Sequence, residues 1–257
     1  MRRMERSAVI IRHTLLLCLA GILMFGCEKQ VFRASDGFAV LPGDLLFQDL
    51  DCGPLCDAIE KVTTGYQGVN FSHVGLAAKD DRGNVVVIEA VSGGVEVTAL
   101  QTFLGRSLDE AGRPKVAVGR LKAPYRHLIP SAIKEAFALK GRPYDKVFAF
   151  DNGAYYCSEL IYEIFRRANK NTPVFKAQPM TFKDPDTDRT HPAWGQYFAE
   201  LGVPVPEGEP GINPGGISRS DALTIFRVYG VPSLSRLSRP LALDCDRTGS
   251  GKGPRKE

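Results

Sequence analysis

The sequence lacks the marks of cofactor and nucleic-acid chemistry. No glycine-rich phosphate-binding signature follows a strand-like segment, so a nucleotide cradle of that kind is not expected. Cysteine is scarce, with six in 257 residues. Cys52 and Cys56 have no second pair at ligand spacing, which makes structural zinc a poor reading. The stretch "DPDTDRTH" (184–191) has carboxylates at alternate positions. Yet Arg189 and Gly195 stand where a calcium loop needs glycine and a bidentate glutamate, so it reads as a solvated loop. No cofactor or metal is therefore expected. There is no internal repeat, and no excess of one charge once the first residues are set aside. Residues 1–26 hold four arginines and one glutamate, and the rest has 29 basic and 28 acidic residues, a net of +1. A nucleic-acid partner would need a basic patch on the folded body, and none is expected.

The longest apolar run, "TLLLCLAGILMFG" (14–26), is too short to span a bilayer comfortably. It follows a segment carrying Arg2, Arg3, Arg6 and Arg12. A basic region followed by a short apolar one is a secretory signal. Gly26–Cys27 resembles the lipobox of bacterial lipoproteins, in which the cysteine becomes the lipid-modified first residue. The match is imperfect, since Met24 and Phe25 occupy positions where leucine and a small residue are usual. The alternatives are an uncleaved anchor or a plain signal. In each case the body lies outside the cytoplasm, and the expected site is the cell envelope, periplasm-facing. The organisation expected is a leader over 1–26, a tether over 27–40, a domain over 41–240 and a flexible tail over 241–257. In an exported chain "CGPLC" could close a Cys52–Cys56 loop, and the short span with Pro54 leaves that pairing open.

The body reads as α+β, with helices flanking a mainly antiparallel sheet. "LPGDLLFQ" (41–48) is a turn and a strand. "CDAIEKVTTG" (56–65) is a short helix. "FSHVGLAAK" (71–79) and "NVVVIEAV" (84–91) are strands joined by turn residues. "GVEVTAL" (94–100) and "KVAVGRL" (115–121) are further strands, and "IPSAIKEAFALKGRPY" (129–144) is a helix stopped at Gly141. Residues 171–220 read as loop-rich, and "ALTIFRVYG" as a final strand. His127 and His191 have no motif around them and read as surface or loop residues, and Ser72 as a hairpin residue.

The hairpin brings an imidazole and a carboxylate together. With a loop over 80–84, residue 79 pairs with 85, 77 with 87, 75 with 89 and 73 with 91. His73 and Glu89 are then diagonal neighbours on one face, within side-chain reach. A buried carboxylate needs a partner. The pair is either structural or the base and orienting acid of a catalytic site.

Cys157 heads a second candidate. Cys157, Leu160, Ile161, Ile164, Phe165 and Ala168 form one apolar helical stripe. A buried cysteine on such a stripe is ordinary packing. It also places the sulfur at a helix start, where free N–H groups can hold an oxyanion. If this helix packs on the face bearing His73 and Glu89, the parts of a cysteine hydrolase meet.

"FSHVGL", "VIEAV" and "GRPYDKVFAFDNGAYYCSELIYEIF", in this order, resemble the circularly permuted branch of the NlpC-type papain-like superfamily, the YiiX/YebB-like proteins. The resemblance runs from about residue 41 to 168. It implies a papain-like fold with Cys157 as nucleophile, His73 as base and Glu89 as the residue that orients it. It also implies substrate-pocket positions at Tyr144 and Tyr156. His, Glu and Cys come in the reverse of the usual papain-like order, which permutation accommodates because a triad is defined by spatial role. The function expected is an exported, lipid-anchored cysteine hydrolase of cell-wall peptide amides. The alternatives are a lipid-acting acyltransferase or thioesterase, and a non-catalytic binding lipoprotein.

Overall fold

A computed structural model describes residues 39–234. The leader, Cys27, most of the tether, the expected domain end at 240 and the tail lie outside the described residues.

The centre is a six-stranded antiparallel sheet. Its strands are β1 (Leu45–Gln48), β2 (His73–Lys79), β3 (Val85–Val91), β4 (Gly94–Ala99), β5 (Val116–Leu121) and β10 (Leu223–Tyr229), in the order β10-β5-β1-β2-β3-β4. The expected hairpin register is present, with Lys79 opposite Val85, Ala77 opposite Val87 and Leu76 opposite Ile88. Asp80 closes the turn by accepting the N–H groups of Arg82 and Asn84.

Helices α1 (Pro54–Val62), α3 (Ile129–Ala138) and α4 (Cys157–Ala168) follow the sequence expectation, and a short helix α2 (Leu100–Leu104) comes directly after β4. A 3₁₀ segment, Ala123–Leu128, leads into α3. Cys52 and Cys56 form a disulfide at the start of α1. The stripe Leu160, Ile161, Ile164 and Phe165 of α4 is fully buried against Val74, Leu76, Ile88 and Ala90 of the sheet, with Ala132 and Ala136 of α3 in the same core.

The region 171–220 is more ordered than expected. It holds α5 (Pro192–Leu201), α6 (Pro214–Ser218) and two short antiparallel pairs, β6 (Gln178–Pro179) with β9 (Pro210–Gly211) and β7 (Lys183–Asp184) with β8 (Arg189–Thr190). Trp194, Tyr197, Phe198 and Leu201 recur at helical spacing on the side that packs with Phe182 and Ala58. His191, read as a loop residue, is the N-cap of α5, its Nδ1 accepting from the Ala193 N–H at 3.3 Å. Gly202 ends α5 at φ 70°, a left-handed conformation that glycine takes without steric cost. Asp184 and Asp186 of the acidic loop hold the Lys61 ammonium of α1.

Candidate active site

His73 is the first residue of β2 and Cys157 the first residue of α4. Successive strand residues point to opposite faces. Val74 and Leu76 lie in the core beneath α4, so His73 and Glu89 belong to the other face. The apolar stripe of α4 therefore packs on the face opposite the pair. Convergence occurs at the ends of elements: the ring stands where β2 begins, close enough to the sulfur of Cys157 for the two to interact electrostatically.

His73 Nε2 lies 2.6 Å from Glu89 Oε2, which leaves Nδ1 for the sulfur. Both side chains are buried, as is Cys157. Gly75 makes the approach possible. A Cβ there would collide with Val87 and touch Glu89 Cβ at 3.4 Å.

The structure adds a residue that the sequence reading missed. Arg106 grips Glu89 with two bonds of 2.7 Å, from Nη1 to Oε2 and from Nη2 to Oε1. Just beyond the end of α2, it lies over the Phe103 ring at 5.7 Å, and that ring lies 5.9 Å from the imidazole. Gln48, opposite His73 in the sheet, donates to the Phe103 carbonyl at 2.8 Å and anchors α2. The one available hint was that a buried carboxylate has four lone-pair sites and an imidazole fills one.

Burial opposes the charge on Glu89, but the bonds from His73 and Arg106 outweigh it and hold the carboxyl at about 2. For His73, burial pushes downward. The interactions with Cys157 and Glu89 win and raise the ring to about 9. A ring that keeps its proton can sit as imidazolium beside a sulfur anion and later give that proton up.

Cys157 opens onto a cavity of about 240 Å³. Tyr144, Tyr156 and Ser72 line it, together with Phe148, Met180 and Trp194. Burial pushes both tyrosine hydroxyls well above the usual range, so they stay neutral. Tyr156 Oη accepts the Ile212 N–H at 3.1 Å, and Ser158 Oγ donates to the Ile212 carbonyl at 2.9 Å. The start of α4 is thus fastened to the far wall. Ser72 accepts from the Leu50 N–H at 2.9 Å. A groove of about 450 Å³ shares Gln178, Gly211, Ile212, Asn213 and Arg219 with the cavity and extends it.

The chain matches the model of a permuted papain-like amidase family over residues 39–226. The crystal structure described as metalloprotein YiiX from Escherichia coli O157:H7 is similar, with a TM-score of 0.59 and 21% identity. It covers 77% of this chain and 99% of its own. At that identity the likeness speaks for the fold. No curated protein matches the chain. The expected fold, resemblance and enzyme class hold, and the chain, a cysteine hydrolase, belongs to the permuted papain-like amidase family, YaeF/YiiX, C92.

Proposed function

We propose that the chain is an exported, lipid-anchored amidase of cell-wall peptides, with Cys157 as nucleophile, His73 as general base and acid, and Glu89 as the residue that orients His73. The observation that carries the reading is the buried His73–Glu89 pair, gripped by Arg106 and electrostatically coupled to the buried Cys157 sulfur. Amidase membership and the extended, partly polar groove beside the sulfur support a peptide substrate. The basic and apolar leader supports export, and Cys27 supports the anchor.

In the first step the Cys157 sulfur attacks the scissile carbonyl. Negative charge develops on the carbonyl oxygen, and the backbone N–H of Cys157 in the first turn of α4 is positioned for it. His73 gives its proton to the leaving amine, the C–N bond breaks and an acyl-thioester remains. Water then attacks, His73 takes the proton from that water, and the carboxylic product leaves with the thiol restored. Tyr144 and Tyr156 border the path of the substrate.

The neighbouring protein's description as a metalloprotein is not carried over. No group of three or more His, Cys, Asp or Glu is placed to hold a metal ion among the described residues. Glu89, the carboxylate nearest the site, is already occupied by His73 and Arg106.

The test is a side-by-side assay of the purified protein on muropeptides, phospholipids and acyl thioesters, with Cys157→Ala as control. Release of muropeptide fragments, lost in the variant, is expected. Fatty-acid release with muropeptides untouched would select lipid acyl transfer instead. Binding without turnover would select a non-catalytic lipoprotein.

A further inference from the structure

Phe148 has a conformation that bulky residues rarely adopt. Its φ is 56°, in the left-handed region. Three contacts impose it. The buried carboxylate of Asp145 accepts the N–H of Val147 at 2.9 Å and that of Ala149 at 2.7 Å, one on each side of Phe148. Tyr197 Oη donates to the Lys146 carbonyl at 2.9 Å. Backbone strain of this kind persists where surrounding contacts over-determine it, and it concentrates at functional sites.

The strained loop places a ring on the wall of the reactive cavity. The Phe148 centroid lies 5.2 Å from that of Tyr156, the residue before the nucleophile, and 5.7 Å from Trp194 on the opposite side, both edge-on. Phe182 and Phe198 close the cluster behind it, and Ile59 and Met180 continue the wall. Drug-sized ligands occupy about 300–1,000 Å³. A cavity of about 240 Å³, just below that range, suits the reacting bond and one side chain.

We propose that Phe148 is a specificity-determining residue. Its ring forms an apolar subsite that selects peptides with a large apolar side chain next to the scissile amide. The inference rests on the amidase part of the proposed function and not on its cell-wall substrate, whose stem peptides carry small or charged side chains.

The test uses paired peptide amides differing only in leucine or glycine beside the scissile bond. Wild type should favour the leucine peptide by about tenfold or more in kcat/KM. In Phe148→Gly the ratio should fall to about threefold or less. Should that variant not fold, Phe148→Asn carries the test, because asparagine tolerates the left-handed region and removes the apolar face. A flat ratio in active wild-type enzyme, or an unchanged ratio in the variant, overturns the proposal. If wild type cleaves neither peptide, the amidase reading fails separately. Binding of the leucine peptide to Cys157→Ala, read by Trp194 emission, then decides. This chain has a single tryptophan, so the signal is local. A shift present with Phe148 and lost in Phe148→Gly supports the subsite, and no shift in either overturns it.

Discussion

His73 keeps its proton up to about pH 9 because two neighbours, Cys157 and Glu89, favour the charged ring more strongly than burial disfavours it. Below the ordinary value of 6.5 the ring is charged folded or unfolded, and its stabilising contribution is complete. That contribution is lost as pH rises from 6.5 through about 9. Glu89 works in the opposite direction. Its contribution is complete above 4.5 and is lost as pH falls toward about 2. Removing the sulfur takes away one of the raising contacts. The ring resonances of His73, followed by NMR, should titrate near 9 in wild type and clearly lower in Cys157→Ala. Equal titration in both would mean that sulfur and ring do not interact.

In the proposed mechanism Arg106 acts through Glu89, as a positioning residue. Arg106→Ala deprives a buried carboxylate of its two-pronged cationic partner. Loss of one partner of such a pair costs about 3 kcal/mol, read as a lowered chemical-denaturation midpoint. Glu89 sits at about 2 in wild type and stays ionised over the range where the imidazole titrates, so losing the guanidinium charge beside the pair should move the His73 titration up, a change that simple loosening elsewhere would not produce. Arg106→Lys should bring the titration back toward wild type but not the denaturation midpoint, because an ammonium restores the charge and not the two-pronged grip.

At the scale of elements, α1 and its C-cap Thr63 supply Ile59, Val62 and Thr63 to one wall of the cavity, and the first turn of α1 is tied by the Cys52–Cys56 bond. Closing so short a loop constrains the unfolded chain by about 2 kcal/mol. Converting both cysteines to serine should lower stability by about that amount. Hydrogen exchange should speed up first in α1 rather than in the sheet, and uniform acceleration would show that the bond does not act locally.

How legible each element was depended on where its information sits. The β2–β3 hairpin was readable because turn residues and strict alternation fix register locally, and the His73–Glu89 pair followed from it. α4 was readable from its apolar stripe. α5 was hidden among glycines, prolines and acids that suggest loops, although the spacing of Trp194, Phe198 and Leu201 and the flanking Pro192 and Gly202 were there to be used. Arg106 was not readable, because its partner is 17 residues away and reached only once α2 folds back over the sheet. Which face of the sheet α4 covers was left open, because local periodicity says which way a stripe points, not which side of a sheet it meets.

For the whole molecule, the proposed anchor sets where the chemistry happens. Residues 28–40, fully stretched, reach at most about 45 Å, which would keep the cleft close to the membrane that holds Cys27. Cys27→Ala should move the protein from the membrane to the soluble fraction without changing turnover of a soluble peptide. Retention in the membrane fraction would point to an uncleaved apolar anchor.

Sulfur and imidazole each occupy the opening residue of their own element. Sliding α4 by one turn along the sheet would carry the sulfur about 5.4 Å, far beyond the ring. With the proposed catalytic pair, turnover is therefore a sensitive gauge of helix docking. In mild denaturant, catalysis should fade while the far-ultraviolet helical signal is still intact.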